Sequence, residues 1–276
     1  MWKYRKKDAK ILWTEGGLMQ ITALVENTSQ DKKFGIEHGL SLYIEAGSQK
    51  ILFDMGQTGV FAENAKVLGI SLSDVTTAVL SHGHYDHGGG LARFLEINKK
   101  APVYVSRYAF EGHYNGTEKY IGLNKNLRGN ERLIYADDMA SIGKGLTLYS
   151  CNNHTKKHDL GSFGLNAEVN GELLPDDFRH EQYLLIEENG KKVLISGCSH
   201  KGILDITEWF QPDVLVGGFH FSKLPLDGTL AGYAKYLNQF NTVFYTCHCT
   251  GTLQYEFMKK HMEHLFYLSA GQSITI

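Results

Sequence analysis

Leu80-Ser81-His82-Gly83-His84-Tyr85-Asp86-His87-Gly88-Gly89-Gly90 decides how the rest of the chain is read. Four side chains able to ligate a metal (His82, His84, Asp86 and His87) fall within six positions, directly after an apolar, strand-like run over 76–80. In an extended chain residues two apart point the same way. His82 and His84 can therefore reach one cation, while the turn brings Asp86 and His87 toward a second. Neutral imidazole and carboxylate suit zinc at about 2.0–2.2 Å, and glycines let the backbone bend around an ion without Cβ clashes. The plain alternative is a histidine-rich surface turn, but imidazoles packed this tightly would repel one another once protonated.

Outward from this loop, residues 20–26, 40–46 and 50–53 read as strands, rich in branched or aromatic residues and bounded by Gly, Ser or Asp. Helical spacing appears at 61–68 and 91–97, around the strand at 76–80, and 102–106 is a further strand. Residues 107–181 are irregular and rich in Gly, Asn and Tyr, with strand candidates only at 133–135 and 146–150; they read as an insertion covering a pocket. The pattern then resumes. Strands at 183–187, 193–196, 214–216 and 242–246 alternate with helices at 203–210, 230–238 and 253–261, before short β-type runs at the end. Two β-rich halves with interleaved helices predict an α/β (α+β) architecture, a four-layer αββα sandwich. With no repeat, linker or low-complexity tract, residues 1–276 read as a single domain.

At 276 residues and 42% hydrophobic content the chain can bury a substantial core. Lys and Arg number 28 against 30 Asp and Glu, so no basic field favours nucleic acid. Residues 1–10 are charged, but 11–17 are mixed and contain Glu15, unlike a signal-peptide core. No run approaches the roughly 18 apolar residues of a membrane span, so no membrane partner and a cytoplasmic location are expected. The four cysteines, Cys151, Cys198, Cys247 and Cys249, are too few and scattered for a disulfide framework and should be reduced. Five of the 13 histidines (His82, His84, His87, His200 and His248) sit in turns after β-type runs, where function concentrates. Neither Ser81 nor Ser199 lies in a Gly-x-Ser-x-Gly elbow, and Gly88-Gly89-Gly90 lacks the Gly-Lys-Ser/Thr of a phosphate loop. His220, after Gly217-Gly218-Phe219, reads as a residue that contacts substrate or stabilises an oxyanion; His38 either lines the same mouth or caps a loop.

The HxHxDH pattern after an apolar strand resembles the signature of the metallo-β-lactamase superfamily, and the resemblance extends over most of the chain. Ile51-Leu52-Phe53-Asp54-Met55-Gly56 is similar to the family's early strand and turn, which implies that Asp54 supports the metal loop from behind its ligands. Val193 to His200 looks like the later strand whose end normally supplies a metal-bridging Asp, but Cys198 stands there. A thiolate is softer than a carboxylate and selects zinc more narrowly, so whether Cys198 ligates is left open. His200 is favoured over His180 for one histidine role, and His248 matches the last metal histidine. Cys247 and Cys249 flank it, and strand alternation would send both thiols away as packing residues. The Gly-Cys-Ser-His turn is similar to the dihydropterin or ribofuranosyl-aminobenzene phosphate synthase-like subgroup of metal-dependent hydrolases. So are Glu37-His38-Gly39-Leu40-Ser41, Gly217-Gly218-Phe219-His220 and Thr246-Cys247-His248-Cys249-Thr250-Gly251.

The resemblance implies two zinc ions, with iron or manganese as alternatives. His82, His84 and His200 would hold one, and Asp86, His87 and His248 the other. Water ionised between ions roughly 3.5–4 Å apart would attack, with Asp86 also orienting it. The expected substrate is a small-molecule ester, phosphoester, lactone or thioester. Arg107, Tyr108, His113, Tyr114, Lys119, Tyr120, Lys125 and Arg128 could clamp an anionic or aromatic one, or form a solvated lid. Two other activities fit the same fold: a di-iron redox protein, which usually carries Glu where this chain has His84, and a non-catalytic metal-dependent ligand sensor.

Overall fold

A computed structural model describes residues 18–276; the reading of 11–17 as unlike a signal-peptide core lies outside the described residues. Two seven-stranded sheets dominate. The first runs in the order Ser273–Thr275, Gln20–Val25, Ser41–Ala46, Gln49–Phe53, Thr77–Val79, Val103–Ser106, Leu133–Ala136. It is antiparallel as far as Gln49–Phe53 and parallel from there on. The second runs Leu265–Tyr267, Val243–Thr246, Val214–Gly217, Lys191–Ile195, Tyr183–Glu188, Leu146–Tyr149, Met139–Gly143. Here the first four strands are parallel and the rest antiparallel.

Three separate apolar clusters define the layers. Between the sheets, Ile21, Leu42, Ile51, Phe53 and Val79 meet Leu148, Leu184, Val193 and Ile195. On the outer face of the first sheet, Leu52, Ala78 and Val103 pack with Phe61 and Ala65 of the helix Val60–Leu68 and Leu91 and Phe94 of the helix Leu91–Ile97. On the outer face of the second, Leu185, Leu194, Leu215 and Phe244 pack with the helices Ile203–Phe210, Gly228–Leu237 and Thr252–Met258. Side chains alternate along a strand, so Ile51 and Phe53 enter one cluster and Leu52 the other. Burial on both faces is why these strands read as unbroken apolar runs. The result is the αββα sandwich.

Residues 107–181 divide between two tasks. Leu133–Ala136 extends the first sheet, and Met139–Gly143 and Leu146–Tyr149 extend the second. The remainder builds a four-stranded antiparallel sheet in the order Glu172–Pro175, Leu165–Val169, Gly112–Asn115, Lys119–Tyr120. Ile121, Leu165 and Phe178 beside it pack with Tyr85 of the histidine loop. Sequence pattern does not betray this small sheet. Glu172–Pro175 is exposed at every position and Lys119–Tyr120 is two exposed residues, so neither alternates. The helix boundaries also differ from the apolar spacing. Asp227 accepts the Thr229 and Leu230 amides and starts its helix at Gly228, ahead of 230.

In the parallel part of each sheet the strands end on the same side. Asp54 follows Gln49–Phe53, the histidine loop follows Thr77–Val79, Cys198 and His200 follow Lys191–Ile195, His220 follows Val214–Gly217 and His248 follows Val243–Thr246. Open α/β sheets place ligands at such carboxyl ends. Among the described residues no helix is long and apolar enough to cross a membrane.

Candidate metal centre

Asp54 anchors the loop. It is fully buried with φ 60, a left-handed conformation uncommon outside glycine. Its Oδ1 accepts the Ser81 amide hydrogen at 2.7 Å, and its Oδ2 accepts the Ser81 hydroxyl at 2.7 Å and His87 Nδ1–H at 2.7 Å. Ser81 Oγ, its own hydrogen committed to Asp54, accepts from His82 Nδ1–H at 2.8 Å. Across the cleft His248 donates Nδ1–H to Asn27 Oδ1 at 2.7 Å, and its amide donates to Glu26 Oε1 at 2.6 Å. Carboxylate, hydroxyl and amide oxygen thus hold three imidazoles as Nδ1–H tautomers, leaving lone pairs on Nε2. Close approach makes glycine necessary behind this loop: a Cβ on Gly90 would run into the carbonyls of Met55 and Thr58.

The exposed lone pairs converge. His87 Nε2 and His248 Nε2 are 3.2 Å apart, Cys198 Sγ is 3.2 Å from His87 Nε2, and Asp86 Oδ2 is 3.3 Å from His248 Nε2. Two buried imidazole lone pairs at that separation repel unless a cation or proton lies between them. His82 Nε2 and both ring nitrogens of His200 are buried without any hydrogen-bond partner, which buried polar atoms rarely are. Ligand-type atoms of His82, Cys198 and His200 lie within 4.8 Å of one another, as do those of His87, Cys198 and His248. Cys198 therefore belongs to both groups. A donor set of imidazole, carboxylate and thiolate fits zinc, so the residues present suit the divalent cation that the fold implies.

The charges agree with this geometry. Burial alone would raise the Asp86 carboxyl, but His87, together with His248 and His38 around it, holds it well below the usual carboxylate range. Burial, with neighbouring His87, His84 and His200, pushes His82 well below the usual imidazole value, and burial with His220 does the same to His200. His87 is different: burial would lower it, yet the Asp54 and Asp86 carboxylates raise it. The group thus sets the neutral rings of His82 and His200, and a His87 held toward protonation, around ionised Asp86.

The other expected residues divide. His220 sits in a left-handed turn (φ 57), its ring 4.3 Å from that of His200 and its Nδ1 buried without a partner. His38 is exposed and its Nε2 lies 3.2 Å from Asp86 Oδ2, at the rim. Both line a cavity of about 220 Å³ that also touches His84, Asp86, Cys198, His200 and His248. Of the two histidines weighed for one role, His180 has both nitrogens engaged. Its Nδ1 takes the Gly83 amide hydrogen and its Nε2 reaches Asp176, whereas His200 has both free. Of the insertion residues expected to clamp an anion, Lys119 alone lines the cavity; His113 is buried behind His84 and Arg107 pairs with Asp137. Lys223, unnoticed in the sequence, also lines it.

Packing of both flanking thiols holds for Cys247, which lies in the core between the sheets, and fails for Cys249, which lines the cavity beside Cys198 and His220. The strand ends at Thr246. His248 has φ 48 and opens a 3₁₀ turn over His248–Thr250, so strand alternation no longer sorts these side chains. Asn27, Glu26 and Asp176 carried no sequence signal, being single polar residues far along the chain from the histidine loop. Only their contacts reveal them.

This fold, with a histidine-rich centre at the strand ends whose side chains could hold a metal ion, is a hydrolase-like one. The chain belongs to the metallo-beta-lactamase superfamily, whose family model matches residues 35–231. It is 30% identical to the uncharacterized protein MJ0448 of Methanocaldococcus jannaschii, over 84% of this chain and 90% of the relative. It is 28% identical to 7,8-dihydropterin-6-methyl-4-(beta-D-ribofuranosyl)-aminobenzene-5'-phosphate synthase of the same organism, over 93% of this chain and 96% of that one. Among solved structures it resembles Tm1679, described as a metal-dependent hydrolase of the beta-lactamase superfamily. The TM-score there is 0.78 at 32% identity, covering 94% of this chain and 99% of the other.

Proposed function

We propose that the protein is a dinuclear zinc-dependent hydrolase of a small anionic ester, with phosphoester, lactone and thioester as the substrate classes to test. The observation that carries the proposal is the pair of acceptor nitrogens on His87 and His248, 3.2 Å apart, beside a thiol shared by two ligand groups. His82, His84, Cys198 and His200 would hold one ion, and Asp86, His87, Cys198 and His248 the other. Such ions, when bound, supply Lewis acidity and lower the pKa of water toward 7.

The chain's own groups do the rest. Asp86, ionised at neutral pH, accepts a hydrogen bond from the attacking water and turns its lone pair toward the substrate. His220 contacts the oxygen on which charge develops. Lys119, from the small sheet, and Lys223, beyond His220, stand at the cavity wall and bind the anionic part of the substrate. Tyr85, Ile121 and Leu165 wall the cavity on the side of the small sheet and limit bulk water. The four cysteines are free and buried, in keeping with the cytoplasmic location that we assign.

The test combines metal quantification with turnover on phosphodiester, lactone and thioester panels, comparing wild type with His248→Ala. Two zinc ions per chain and hydrolysis of one class are expected, with both reduced in the variant. Iron together with oxygen or nitric oxide reduction would replace the proposal with a redox protein. Tight ligand binding without turnover would replace it with a sensor, and full turnover by metal-free protein would end it.

A further inference from the structure

Two glutamates behind the centre, Glu26 and Glu181, are fully buried. Each lies against the backbone of a candidate ligand histidine. Glu181 Oε1 accepts the His200 amide hydrogen at 2.7 Å, and its Oε2 accepts the Lys201 amide at 3.0 Å and the Tyr183 hydroxyl at 2.5 Å. Glu26 Oε1 accepts the His248 amide at 2.6 Å and the Tyr267 hydroxyl at 2.7 Å, while its Oε2 accepts the Thr28 amide and hydroxyl, both at 2.6 Å. All of these partners donate, so each glutamate serves as an acceptor only.

The turns they hold are strained. Ser199, just before His200, has φ 57 and His248 itself has φ 48, left-handed conformations that a residue other than glycine keeps only when its surroundings over-determine them. A side chain that takes the amide at the turn fixes the backbone, and with it the ring. His200 then shares a ligand group with His82 and Cys198, and His248 shares one with His87 and Cys198. Each glutamate therefore stands behind a different group. Neither has a salt bridge among the described residues: each meets a tyrosine hydroxyl instead, and the Lys201 ammonium goes to the carbonyls of Phe178 and Glu181, at 2.6 and 2.9 Å. A buried carboxylate without a cation is costly, and hydrogen bonds from amides and hydroxyls offset only part of that cost.

We propose that Glu181 and Glu26 are positioning residues divided between the two ions, Glu181 for the one held through His200 and Glu26 for the one held through His248. Each ion in turn balances the buried charge behind its histidine. The inference rests on the two-ion reading above and goes beyond it in giving each ion its own glutamate.

Stepwise zinc titration of the full metal-stripped chain against a chromophoric chelator separates the two binding steps. Glu181→Gln and Glu26→Gln should each weaken one step about 10–100-fold and leave the other unchanged. His248→Ala, left with the ion held through His200, shows which step is which. Adding Glu181→Gln to it should weaken the remaining step by the same factor, and adding Glu26→Gln should not. A glutamate with a structural role alone would lower the urea midpoint of the metal-free chain and either leave both zinc constants as they were or weaken both alike; either result overturns the proposal. Tyr183→Phe and Tyr267→Phe remove one hydroxyl donor from each glutamate and keep the test open where a glutamine variant does not fold. Each should give a smaller loss at the same step as its glutamate, and a loss at the other step or at neither also overturns the proposal. Wild type that binds fewer than two zinc ions would sink the two-ion reading, whereas two ions in wild type with unselective variants would sink this inference alone.

Discussion

Replacing Asp54 by Asn changes one atom of a fully buried side chain and almost nothing of its volume. Asn tolerates the left-handed backbone that Asp54 adopts, so conformational strain does not confuse the outcome. The carboxylate accepts three hydrogen bonds, from Ser81 N, Ser81 Oγ and His87 Nδ1, each at 2.7 Å. An amide has one acceptor oxygen. Whichever way it turns, either the Ser81 amide or the pair formed by Ser81 Oγ and His87 Nδ1 meets an NH₂ group. Losing one charge-assisted hydrogen bond in a buried site costs roughly 1.5–3 kcal/mol. In the second orientation His87 escapes by moving its hydrogen to Nε2, which removes the lone pair facing His248. Stability should fall by about 2–3 kcal/mol in urea titrations of metal-free protein, in line with that hydrogen-bond cost. Zinc affinity should fall about 10–100-fold in competition with a chelator. An Asp54→Asn protein with wild-type midpoint and wild-type affinity would show that the loop is held by something other than this carboxylate.

Three further outcomes follow from the same contacts. Phe178 is buried and stacked on His200 at 4.6 Å and 14°, so Phe178→Ala should cost about 3–5 kcal/mol by calorimetry or urea titration and loosen His200; a loss under about 1 kcal/mol would mean that the cavity refills. Lys119→Ala with Lys223→Ala should raise KM for an anionic substrate, more at low salt than at high, with kcat little changed; equal effects on neutral and anionic substrates would remove these lysines from recognition. Burial and nearby His113 push His180 from 6.5 down to about 4. Below pH 6.5 the unfolded chain then binds a proton that the folded chain refuses, so stability present above that pH is lost as pH falls toward 4, by about 3 kcal/mol in all. Urea midpoints of metal-free protein between pH 7.5 and 4.5 check this, and a pH-independent midpoint would contradict it.

Much of the framework was legible because it is local. Gln49–Phe53, Lys191–Ile195 and Val214–Gly217 stand out as branched apolar runs since both faces of each strand are covered. The spacing of His82, His84, Asp86 and His87 is written in consecutive residues. The small sheet was hidden because its outer strands bury too little to show a period. Cys249 was misread because alternation was carried past the end of the strand into a 3₁₀ turn.

The sequence by itself determined the αββα plan and which loop holds the densest ligands, because strand burial and ligand spacing act over a few residues. Tertiary structure alone decided that Cys198 stands between two groups of ligands, that His200 rather than His180 has free nitrogens, and which nitrogen each ring offers. Asn27, Asp54 and Asp176 set those tautomers through hydrogen bonds that reach across the chain, in the case of His248 and Asn27 over 221 positions. A hydrogen's place on an imidazole depends on what its far side touches, and no stretch of sequence around a histidine contains that partner.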